Sequence, residues 1–64
     1  MPIILRYFAF EHLPPHLQEV SKAFHDLAHH LAATLPDGPE REAAFRRLLE
    51  SKDAAVRAAL DERT

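Results

Sequence analysis

The chain has 64 residues, 47% of them apolar and 28% charged, with a formal net charge of −2. That length excludes more than one domain, and that charge disfavours a protein built to coat DNA or RNA, which would be strongly basic. There is no cysteine, so disulfides and thiolate metal sites are excluded, which is compatible with a reducing cytoplasm. No apolar run approaches the length of a bilayer span, so no membrane association is expected. The opening "MPIILRYFAF" carries Arg6 in its middle and no small-residue cleavage site, so it does not read as a signal peptide.

Residues 1–13 form the first segment, rich in β-branched and aromatic side chains. As an extended arm it would place Leu5, Tyr7 and Ala9 on one face and Ile4, Arg6, Phe8 and Phe10 on the other. A lone strand leaves its backbone unsatisfied, so the arm must pack on helices or pair with another copy. Tyr7, Phe8 and Phe10 also have the chemistry of a stacking platform for nucleobases; the competing reading is packing in a core or an interface.

The second segment, about residues 14–35, opens at "LPPHLQEV". Leu13 precedes a proline and is biased to extended geometry, while prolines suit the first helical positions. Leu17, Val20, Phe24, Leu27, Leu31 and Leu35 then recur at spacings of three and four, predicting an amphipathic helix that Pro36 ends. Ser21 and Ala28 lie on the same face, where small side chains let another helix approach.

"PDGPE" is a turn. Asp37 can cap the next helix, with Glu40 three residues on as a capping box. The second helix is expected over about residues 38–62, built from good helix formers. Arg46 with Glu50 and Asp53 with Arg57 are four-residue pairs. A connection this short makes the helices antiparallel neighbours. The expected fold is an all-α antiparallel two-helix hairpin with a short N-terminal extended arm. Two helices bury one stripe each, and the apolar arcs are wider than one seam requires. A homo-oligomer is therefore expected, most simply with twofold symmetry.

Lys52 is the odd residue. It falls about 20° from Phe45 on the second helix, near the middle of the apolar stripe. Three readings compete. Its head snorkels to water, it pairs with an acid across an oligomer interface, or it meets an anionic ligand held between subunits. Arg41, Arg47 and Arg57 read as surface charges that can reach a ligand. "HDLAH" puts His25 and His29 one turn apart with Asp26 between, a spacing that zinc helices use. His30 lies about 100° further round and cannot join them. The expected state is a solvated flank with no metal and no cofactor. His12 and His16 repeat the spacing across the proline helix start. Ser21 with His25 four residues on is the only approach to a nucleophile and base, and no orienting third group accompanies it. No enzyme activity is expected.

"YFAFEHLPPHLQEVSKAFHDLA" followed by "LPDGPEREAAFRRLLESKDAAVRAAL" resembles the small helical-hairpin domain of phage signal-sequestering proteins, the anti-CBASS and anti-Thoeris sponges. The pattern that carries the resemblance is an aromatic arm, H-L-P-x-H-L-Q, a serine before Phe24, L-A, P-x-x-x-E-R and L-L-E-x-K-D-x-A-V-R-A, over about residues 7–60. The resemblance implies a non-enzymatic, oligomeric binder. It would hold a cyclic di- or trinucleotide, or a cyclic ADP-ribose-type messenger, in pockets between protomers of the infected cell's cytoplasm, and so blunt anti-phage signalling. Carried over by position, the candidate contacts are Tyr7, Phe8, His12, Gln18, Ser21, Lys22, Arg41, Lys52 and Arg57, with Tyr7, Lys52 and Arg57 foremost. Against better-known members, which are longer and have an extra C-terminal segment or a sheet domain, the matched region covers the hairpin alone, so the second ligand site of some members is not expected here. The rival readings are a helical interaction module that binds a host protein, and a small metal-dependent hydrolase of such messengers using His25 and His29.

Overall fold

A computed structural model describes residues 3–61. It contains a 3-10 helix over Ile3–Phe8, then α1 over Pro15–Thr34 and α2 over Pro39–Asp61. The two long helices pack against each other as a hairpin, and the 3-10 helix lies against both. The outline is elongated, 41 × 18 × 15 Å. Among the described residues no helix is long and apolar enough to cross a membrane. The first two arm residues and the expected helix end at Glu62 lie outside the described residues.

The start of α1 follows from its prolines. Pro14 is the cap residue at φ −57°, ψ 153°, and Pro15 occupies the first turn, where a missing N–H costs nothing. The Pro14 carbonyl accepts from the N–H groups of Leu17 (2.9 Å) and Gln18 (3.0 Å). The helix ends because Leu35 precedes Pro36 and is pushed to extended geometry at φ −97°, ψ 140°. The hairpin then turns through Gly38, whose φ of +156° lies where side-chain-bearing residues are strained. The Gly38 carbonyl takes the Glu42 N–H at 3.1 Å and opens α2.

The capping expectation for Asp37 is corrected. With α2 starting at Pro39, the residue at the cap is Gly38, and the Asp37 carboxylate instead accepts from Arg41 Nη2 at 3.2 Å.

The extended arm is also corrected. Residues 3–8 wind into a 3-10 helix, longer than the usual run of three or four residues. In this geometry side chains three apart eclipse, so Leu5 and Phe8 face the hairpin together, whereas a strand would put them on opposite faces. The segment also closes its own backbone hydrogen bonds, which a lone strand cannot do. Leu5, Phe8, Ala28 and Phe45 make the core, with Ile4, Phe24, Leu31, Ala32, Leu48 and Leu49 partly buried around it. Ser21 and Ala28 are fully buried in α1, as small residues in a close helix seam should be. The core is thin. Ile3, Tyr7, Leu27, Leu35 and Leu60 are left exposed.

Candidate functional site

The 3-10 helix crosses the hairpin and leaves a concavity at each side of its first residue. The larger, about 800 Å³, lies toward the hairpin turn and is lined by Ile3, Ile4, His29, Ala32, Ala33, Asp37, Arg41 and Glu42. The second, about 400 Å³, is lined by Ile3, Leu5, Arg6, Ala9, Glu11, His25 and His29. Ile3 and His29 belong to both, so the two form one trough. Its floor is the His25–His29 flank of α1.

Arg41 is the best-anchored cation of this trough. Its Nη1 donates to the Ala32 carbonyl (3.4 Å) and the Leu35 carbonyl (3.5 Å), and so closes the end of α1. Its guanidinium carbon stands 5.7 Å from the Phe45 ring centre, within cation–π range. Its Nε is buried and has no hydrogen-bond partner among the described residues. An unsatisfied buried donor in the wall of a concavity is the kind of group a ligand acceptor completes.

The histidines are held by their neighbours. The His25 Nδ1–H donates to Asp26 Oδ1 at 3.0 Å, and Lys22 Nζ donates to Asp26 Oδ2 at 2.9 Å. The two bonds hold the Asp26 carboxyl below its ordinary value, the His25 bond contributing most. The His25 and His29 rings lie against each other with centres 4.3 Å apart and planes tilted by 42°, and Phe10 meets His25 edge-on at 5.0 Å. Among the described residues no three histidine or acidic side chains are placed to hold a metal ion. The flank expected to be solvated is half-buried, with His25 and His29 sharing a concavity with Ile3 and Leu5 of the 3-10 helix. Its i, i+4 spacing was the visible signal; what sequence could not give was the segment folded over it.

The other sequence candidates scatter. Phe8 and Ser21 have no exposed surface, so neither can touch a ligand in this conformation. Phe8 is core because the 3-10 turn points it inward, and Ser21 lies in the helix seam. Gln18 donates its amide to the Leu13 carbonyl (2.7 Å) and the Glu11 carbonyl (3.3 Å), pinning the turn before α1. Lys22 is engaged with Asp26. Lys52 keeps only 15% of its side chain exposed and sets Nζ 3.3 Å from Asp53 Oδ1. Asp53 thus turns to Lys52 rather than to the expected Arg57. Tyr7, His12 and Arg57 are exposed. Of the nine candidates only Arg41 lines the trough.

No family model matches the chain, and neither a curated protein nor a solved structure does.

Proposed function

We propose that the hairpin is a binding protein that assembles with copies of itself and sequesters a cyclic nucleotide-type immune messenger without cleaving it. The observation that carries this reading is the trough beside the 3-10 helix. At about 800 Å³ its larger part falls in the range of small-molecule sites, and it joins apolar walls to a buried, unsatisfied Arg41 Nε and the edge of His29. The trough's formal charge is net negative, Arg6 and Arg41 against Glu11, Asp37 and Glu42, so an anion would be held by local donors and not by the overall field. Asp37 is already neutralised by Arg41, while Glu42 remains to oppose a dense polyanion. A phosphodiester spreads single charges around a ring and suits such a site better than a triphosphate. The thin core and exposed apolar side chains support assembly, as does the small size of the chain.

The test is to incubate the protein with cyclic di- and trinucleotides and cyclic ADP-ribose isomers, remove it, denature it and analyse what returns. Depletion followed by intact release supports sequestration. An altered product would make the protein an enzyme. No depletion of any messenger would favour the second reading, a helical module that binds a host protein, for which the exposed Leu27 speaks.

A further inference from the structure

The trough is short of fixed positive charge. Arg6 of the 3-10 helix and Arg41 of α2 face Glu11, Asp37 and Glu42, two cations against three carboxylates. Asp26 lies next to His25 on α1, but Lys22 at 2.9 Å cancels its charge. With neutral histidines the site is therefore one unit negative, which opposes an anion. The groups able to reverse this are His25 and His29, half-buried on the trough floor with ring centres 4.3 Å apart. His29 lines both concavities, and His25 lines the smaller one. Histidine is the side chain that ordinarily changes charge between pH 5 and 8. A proton on each ring would turn the site from one unit negative to one unit positive. Two imidazolium rings this close repel each other, and an anion seated against both relieves the repulsion.

Hydrogen-bond chemistry points the same way. His25 gives its Nδ1–H to Asp26 Oδ1 at 3.0 Å, so Nε2 is the ring nitrogen left over. In the neutral ring that nitrogen is an acceptor, which meets a phosphate oxygen lone pair to lone pair. A proton makes it a donor, and charge-assisted donors to phosphate oxygens are the strong ones. The Asp26 bond and the T-shaped contact with Phe10 at 5.0 Å fix this ring before any ligand arrives. The His29 ring has no hydrogen bond among the described residues, so its nitrogens are uncommitted.

We propose that His25 and His29 form a proton-linked anion subsite on the trough floor, where a phosphodiester binds together with a proton, so that the protein holds its ligand more tightly as pH falls. This rests on the reading of the trough as the messenger site and adds its regulation. A phosphodiester lacks the second ionisation that a phosphate monoester shows at about pH 6, so the proton comes to the protein and not to the ligand. A proton held more tightly in the complex than in the free chain strengthens binding at low pH. That gain is lost as pH rises through the value the histidines take in the complex.

The test measures binding of the cyclic di- and trinucleotides by calorimetry at about pH 6 and about pH 8, at one ionic strength, in two buffers of different ionisation heat. One linked proton changes affinity by at most about tenfold per pH unit, so the wild type should bind about tenfold more tightly at the lower pH and take up about one proton. Glutamine keeps a polar side chain without the titrating ring. The double variant His25→Gln with His29→Gln should bind equally at the two pH values. His30→Gln, exposed and outside the trough, should keep the wild-type difference. Circular dichroism checks that the double variant stays helical, and the wild-type proton count does not depend on it. A wild-type affinity that is the same at both pH values, or a pH dependence that survives in the double variant, would overturn the proton link and leave sequestration standing. Binding of no messenger at either pH would overturn both.

Discussion

Replacing Lys52 tests how the hairpin tolerates an ammonium in its seam. The side chain is mostly buried, yet Nζ reaches Asp53, whose own side chain is half exposed. The stem is therefore packed, and the charge is met at a wet rim. Lys52→Met keeps the stem and removes the charge. A rim ion pair contributes about 0–1 kcal/mol, so the melting temperature should move by no more than a few degrees. Lys52→Ala removes three methylenes at about 0.8 kcal/mol each, a loss of about 2 kcal/mol. At roughly 4–8 °C per kcal/mol in a domain this small, the alanine variant should melt about 10 °C lower. Both melts are run by circular dichroism at one protein concentration, because assembly makes the midpoint concentration-dependent. Equal effects of the two substitutions would refute the packed stem. A loss of 2 kcal/mol or more in Lys52→Met would mean that the ammonium satisfies a buried acid, as a partner copy would provide. Messenger affinity unchanged in Lys52→Met would place Lys52 outside the ligand site.

Three shorter tests follow from local geometry. Gly38→Ala should destabilise by about 1 kcal/mol in chemical denaturation; the space around Gly38 is open, so the cost is conformational, from φ +156°. Asp26→Asn should differ from wild type at neutral pH and converge with it in acid. Asp26 titrates below its ordinary 3.8 in the folded chain, so its stabilisation is present above 3.8 and disappears as pH falls through the lower folded value. Thermal melts between pH 6 and pH 2 read this. Chelator treatment should leave both melting temperature and messenger binding unchanged, since His25 commits Nδ1 to Asp26 and no third ligand stands with the pair among the described residues. A drop of several degrees restored by zinc would show that "HDLAH" holds metal.

The two long helices were legible because their signals are local. The expected spans 14–35 and 38–62 meet Pro15–Thr34 and Pro39–Asp61 within a residue or so at the described ends, since prolines and apolar spacing act within one turn. The arm was not legible. Its β-branched and aromatic residues have strand propensity, but the hairpin surface rewards Leu5 and Phe8 at a spacing of three. The same tertiary event moved Phe8 into the core and raised His25 and His29 from a solvated flank to the floor of a trough. Gln18 and Arg41 are polar residues that sequence offers to a ligand, yet backbone carbonyls at the two ends of α1 claim the Gln18 amide and the Arg41 Nη1, leaving the Arg41 Nε. Carbonyl positions depend on how the chain enters and leaves the helix, which no spacing rule supplies.

Sequestration requires that copies of this hairpin together hold a messenger and return it unchanged. Native mass spectrometry of the protein mixed with the messenger panel reads assembly, occupancy and ligand integrity in one spectrum. The expected species is a multiple of the 7.3 kDa chain carrying at least one messenger at its unmodified mass. A lone 7.3 kDa chain with no adduct from any messenger in the panel would contradict it.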